Sequence, residues 1–185
     1  MKRFLMLALT GLALSAVPAT AQIAVYGAGG VASPVGDDMD GIEAGLQLVG
    51  GVEYYLSDKL AILAEGQWGT HDVENSDNSV SPSALMGGLS LGLGSGEGSI
   101  KPWIFGAAGL QTVSIDTDVA DPSDTTFGYQ VGAGIGFPLF GQNAGLRASY
   151  QAASFDADSE IGGAADFDFS IFSVVLGFGI PLGGS

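Results

Sequence analysis

The chain has 185 residues, with 20 Asp or Glu against five Lys or Arg, and charged residues make up only 14% of it. Phosphate neutralisation needs clustered bases, so this balance excludes a nucleic-acid-binding surface, and so low a charged fraction fits poorly with a water-exposed exterior. With no cysteine, the sequence offers no disulfide framework, thiolate metal site, cysteine nucleophile or lipoprotein anchor.

The first element in chain order is an export signal. Lys2 and Arg3 precede an apolar run over residues 4–17, and Ala19-Thr20-Ala21 supplies a small-x-small cleavage site. The alternative, a membrane-anchoring helix, is disfavoured because the run is short for a span and Pro18 interrupts its end. The expected organisation is a signal peptide over 1–21 and one domain over 22–185. Without Lys2 and Arg3, only Lys59, Lys101 and Arg147 remain against all 20 acids.

After the signal, short segments alternate apolar with small or polar residues at period two, the strand signature. The second segment sets Ile42, Leu46, Leu48, Val52 and Tyr54 against Glu43, Gly45, Gln47, Gly51 and Glu53. The third sets Leu60, Ile62, Ala64 and Trp68 against Glu65, Gln67 and Gly69, and the fourth sets Leu85, Leu89, Leu91 and Leu93 against Gly88, Ser90 and Gly92. The sixth, seventh and eighth repeat the pattern around Val131, Ala148 and Val174. The first (about 22–32) and fifth (about 100–114) read as strands by residue type, but their faces are ambiguous. The prediction is an all-β fold, an eight-stranded antiparallel up-and-down transmembrane β-barrel.

Connection lengths and charge agree with that count. Long connections at 33–40, 71–82, 115–125 and 155–168 alternate with short ones at 56–59, 94–99 and 138–143, as outer-membrane barrels require. The long connections hold Asp37, Asp38, Asp40, Asp72, Glu74, Asp77, Asp116, Asp118, Asp121, Asp124, Asp156, Asp158, Glu160, Asp166 and Asp168, most of the acids of the chain. One face of the strands is uncharged and suits lipid, whereas the other is rich in Gly, Ser and Gln and suits a narrow lumen. A soluble barrel would need the opposite arrangement. Trp68, Phe127, Tyr129, Phe169 and Phe172 towards the loops, and Tyr54, Tyr55, Trp103, Phe137 and Phe178 towards the turns, are expected to form two interfacial girdles.

Lys101-Pro102-Trp103-Ile104-Phe105-Gly106 and the closing Val174-Val175-Leu176-Gly177-Phe178-Gly179-Ile180-Pro181-Leu182 resemble segments of the small outer-membrane β-barrel family, which includes the OmpA-type membrane domain and the opacity and OmpX-type surface proteins. Leu182 stands where that family usually ends in Phe or Trp. The resemblance implies the bacterial outer membrane as the location, outer-membrane lipid, lipopolysaccharide and the barrel assembly machinery as partners, and no cofactor.

Three candidate sites follow from the residues. Arg147 is the only base on an assigned lumen face, facing Glu43, Glu53 and Glu65. An unpaired charge there is costly, so Arg147 is expected to pair with Glu53 or Glu65 in preference to Glu43, as a structural plug. Asp116, Asp118, Asp121 and Asp124 form a candidate weak cation-binding loop, without the fixed glycine and terminal Glu of an EF-hand. His71, the single histidine, is expected to be a solvated loop residue, and neither a catalytic triad nor a specific metal site is expected. The functional expectation is a non-enzymatic barrel with a structural or adhesin-like role through its acidic loops; the alternative is a small low-conductance channel.

Overall fold

A computed structural model describes residues 23–94, 100–116, 122–140, 142–156 and 166–182. The signal peptide expected over 1–21, with Asp118, Asp121, Asp158 and Glu160, lies outside the described residues. The strands are β1 (Ile23–Pro34), β2 (Gly45–Tyr55), β3 (Leu60–Asp72), β4 (Ser79–Gly92), β5 (Lys101–Asp116), β6 (Ser123–Leu139), β7 (Gln142–Phe155) and β8 (Phe167–Leu182). Each pairs antiparallel with its neighbours in sequence, and β1 pairs with β8, so the sheet is a closed barrel with no free edge. Closure gives every strand a ladder partner on both sides, which is the condition for strands to cross hydrocarbon.

The period-two pattern becomes an inside and an outside. Leu48, Ile62, Leu89, Val131, Leu146 and Leu176 are exposed on the outer face, whereas Gln47, Glu65, Ser90, Gln130, Arg147 and Ser173 are buried on the inner one. So extensive an apolar exterior exceeds what a monomeric protein presents to water and matches a lipid contact. The two ambiguous strands resolve by register. On β1 the even positions point inward, Tyr26 opposite Gly51, and on β5 the odd positions do, Phe105 opposite Gly132.

Three girdle assignments need correction. Tyr55, Trp103 and Phe169 share the parity of the lumen residues on their strands. Phe169 is fully buried, and the Tyr55 hydroxyl donates to Glu53. Pairing decides the side, and aromatic identity does not. Trp68, Phe127, Tyr129, Phe172 and Phe178 do face outward.

The connections expected at 71–82 and 115–125 are shorter than the sequence suggests, because three strands run on past the apolar band. β4 begins at Ser79, β5 continues to Asp116 and β6 begins at Ser123. Between β1 and β2 a single 3-10 turn, Asp37–Met39, folds over the barrel mouth. Val35 N–H donates to the Ser170 carbonyl at 2.9 Å, and Asp168 N–H donates to the Asp38 carboxylate at 2.9 Å. Met39 thereby inserts, 3% exposed, among Ala32, Val80, Val113, Phe155, Phe169 and Ile171. The loop end of the lumen is closed by apolar side chains.

Candidate functional site

The lumen charges form one layer, and its geometry follows from strand parity. Arg147 on β7 meets Glu65 on β3, four strands away and so on the opposite wall. The guanidinium donates twice, Nη1 to Oε2 at 2.7 Å and Nη2 to Oε1 at 2.8 Å. This bidentate fork crosses the lumen. Its side chains are 8% and 0% exposed, so the pair is dry and poorly screened.

The remaining two odd-numbered strands complete the layer. Tyr26 on β1 donates its hydroxyl to Glu65 Oε2 at 2.6 Å. Phe105 on β5 lies under the guanidinium, with Arg147 Cζ 4.0 Å from the ring centroid, a cation–π arrangement. Arg147 Nε, without a hydrogen-bond partner among the described residues, is part of this guanidinium. Tyr26, Glu65, Phe105 and Arg147 thus come from β1, β3, β5 and β7, the alternate-strand layering by which small barrels fill their interiors.

Glycines make room for it. A methyl added at Gly51 would stand 2.7 Å from the Tyr26 hydroxyl, and one at Gly132 would collide with the Phe105 ring. Each is the direct cross-strand partner of the aromatic it accommodates. These two glycines are needed for close approach, not for turn geometry.

A glutamine and serine network continues towards the loops. Gln67 Nε2 donates to Glu65 Oε1 at 2.6 Å and to Gln130 Oε1 at 2.7 Å, and Gln47 donates to Gln67 at 3.2 Å. Gln130 donates to Ser149 at 3.0 Å, and Ser149 is 2.8 Å from Ser173. Gln151 donates to Gln111 at 3.0 Å. Above this network stands the apolar closure around Met39.

The remaining sequence-predicted residues fall elsewhere. Glu53 does not join Arg147; it accepts from Tyr55 at 2.7 Å and from Ser90 at 3.2 Å, nearer the turns. Glu43 is not a lumen residue. It is exposed at the loop end, ahead of the first residue of β2, and its N–H donates to the Asp72 carbonyl at 2.8 Å. Of the candidate cation loop, Asp116 is exposed at the end of β5, and Asp124 accepts the Thr125 N–H at 2.6 Å. Among the described residues, no three His, Cys, Asp or Glu converge as a metal site. His71 is not solvated. It is 1% exposed on the inner face, its Nδ1 3.0 Å from the Glu43 carbonyl.

Sequence reasoning missed Tyr26 and Phe105, because neither β1 nor β5 alternates cleanly. Their signal is an aromatic whose cross-strand partner is a lumen glycine, visible only once register is known.

The model of the outer membrane protein beta-barrel domain matches residues 4–179. Among curated proteins, none matches the sequence. Among solved structures, the fold is similar to Neisserial surface protein A, with a TM-score of 0.63 at 12% identity over 85% of this chain and 96% of that one. It is also similar to Ail, the attachment invasion locus protein of Yersinia pestis, in complex with the heparin analogue sucrose octasulfate, with a TM-score of 0.50 at 13% identity over 86% and 97%. The outer membrane enzyme PagL aligns at a TM-score of 0.38 and 21% identity over 88% and 100%, too distant to bear on function. The eight-strand closure, the apolar exterior and the family match place this protein in the bacterial outer membrane. The chain belongs to the outer membrane protein β-barrel domain family.

Proposed function

We propose that this barrel is a sealed, non-enzymatic membrane scaffold whose acidic loops provide a surface for interaction outside the cell. The observation that carries the reading is the double closure of the lumen. A dry ion pair spans it at one level, and Met39 with its apolar neighbours fills the mouth at another. A conducting path would have to break both, which argues against the alternative of a low-conductance channel. A role without catalysis is supported by the burial of His71, the histidine that a Ser-His-acid arrangement would need.

The loop charge narrows the partner. Ail is crystallised with a polysulfated heparin analogue. Here Asp38, Asp40, Glu43, Asp72, Glu74 and Asp77 stand at the same end of the barrel, and an acidic mouth repels such polyanions. The surface fits basic protein segments instead, or polyanions bridged by divalent cations. Binding of whole cells to immobilised cationic and heparin-like ligands tests this. Retention on the cationic support that disappears when the acidic loop residues are replaced by Asn and Gln supports the reading; preferential retention on heparin without calcium contradicts it. Single-channel recordings of the refolded protein test the seal, and steady conductance would favour the channel.

A further inference from the structure

The strand extensions beyond the apolar band carry a surface that neither the lumen nor the loops explain. Following the outward positions of β4, β5 and β6 row by row, Leu85 pairs with Leu110, and Leu110 with Phe127. All three are exposed, at 67%, 57% and 69%. This is the last apolar row. One step nearer the loops the row is Ser83, Thr112 and Thr125, and the next is Ser81, Ser114 and Ser123. The change from hydrocarbon to hydroxyl is complete within one step of about 7 Å along the strands. Between the two rows Pro82 and Val113 point inward and are buried and Asp124 is half-buried, so the sheet keeps its alternation through the boundary.

These six hydroxyl side chains form a two-by-three grid with about 4.8 Å between strands. Thr112 and Thr125 hold each other at 2.7 Å between their hydroxyl oxygens. The grid faces sideways, not into the barrel mouth, and no carboxylate interrupts either row. That neutrality contrasts with the acidic loops around it. The next outward position of β5, one step beyond the grid, is Asp116 opposite Ser79, so the acidic end of the barrel begins directly above the hydroxyl rows.

We infer that the grid is a docking face for the core saccharide of lipopolysaccharide in the outer leaflet. The inference rests on the outer-membrane placement of the barrel and adds a site to it. Position supports this partner: the face begins where the lipid-facing row ends, which is where the sugars of an outer-leaflet glycolipid begin. Chemistry supports it too. Hydroxyls donate and accept at once and so match the mixed donors and acceptors of a polyhydroxylated sugar. An uncharged face also avoids opposing the phosphates that such glycolipids carry.

The test uses the full mature chain refolded into phosphatidylcholine bilayers containing either lipopolysaccharide with a complete core or lipid A alone, without divalent cations so that the acidic loops form no bridges. After gentle extraction, native mass spectrometry reads the glycolipid retained per barrel. The wild type is expected to retain the complete-core form about tenfold over lipid A, the equivalent of one or two net hydrogen bonds. Replacing the grid by Ser81→Ala, Ser83→Ala, Thr112→Val, Ser114→Ala, Ser123→Ala and Thr125→Val should bring retention down to the lipid A level. The Thr112→Val, Thr125→Val pair keeps the β-branched shape and should lower the preference part of the way; it carries the test if the six-site variant does not fold. Equal retention of the two glycolipids by the wild type, or an undiminished preference in a folded variant, overturns the proposal while leaving the membrane placement intact. A wild type that does not insert into either bilayer overturns the placement itself.

Discussion

At the residue scale, Arg147 and Glu65 dominate. Removing one partner of a dry ion pair leaves an uncompensated charge, so Arg147→Ala is expected to lower unfolding stability by roughly 3–5 kcal/mol. The lower end of that range is favoured, because Glu65 keeps the Tyr26 hydroxyl and the Gln67 amide as donors. Replacing both partners together, Arg147→Met with Glu65→Leu, should cost much less, since no charge is stranded. The unfolding midpoint followed by heat-dependent gel migration separates the two, and equal losses would show that the pair is not dry. Arg147→Lys should not rescue fully, because an ammonium lacks the fork that meets both Glu65 oxygens and the flat face that lies on Phe105. From sequence alone, loss of Arg147 would be expected to open a path. With Met39 and its neighbours filling the mouth, Arg147→Ala by itself is expected to leave single-channel conductance unchanged.

At the scale of elements, the wall is made of strands whose two faces tolerate opposite chemistry. Leu89 on β4 faces outward within the apolar band. Leu89→Arg should cost about 2–4 kcal/mol if its row lies near the bilayer midplane. A loss below that range in a guanidinium titration would place the row near an interface. On the inner face, room decides instead of polarity. Gly132→Val should displace Phe105 from beneath Arg147 and destabilise by about 1–3 kcal/mol through overpacking. Gly66→Val, outward and with open space where its side chain would grow, should be close to neutral in the same assay.

At the scale of the whole molecule, charge is sorted to one end. The carboxylates of the long connections repel one another, and that repulsion is screened by salt and relieved more efficiently by divalent cations. Thermal stability in detergent is therefore expected to rise with millimolar calcium and, less steeply, with sodium chloride. A midpoint insensitive to both would mean that the loops hold their charges too far apart to interact.

The sequence by itself determined the strand count, the antiparallel class, the sorting of acids to one end and the inward face of six strands. Each of these is local: a two-residue alternation, a connection length, or a composition contrast between adjacent segments. It also singled out Arg147 and narrowed its partner to Glu53 or Glu65, since a lone lumen base must find a lumen acid; the fold chose Glu65. What it left open was every relation set by register. Whether Tyr26 and Phe105 point inward depends on which residue sits beside them, set by pairing of β1 with β2 and β8 and of β5 with β4 and β6. Glu43 alternates in step with Glu53 and Glu65 but lies above the ladder, so parity alone misplaced it. His71 reads as a loop residue in the sequence because nothing local shows that β3 continues to Asp72; pairing of His71 with Val80 turns the imidazole inward. The hydroxyl grid was hidden for the same reason. Ser81, Thr112 and Ser123 lie on three separate segments, and only hydrogen bonding between the strands puts such residues in rows.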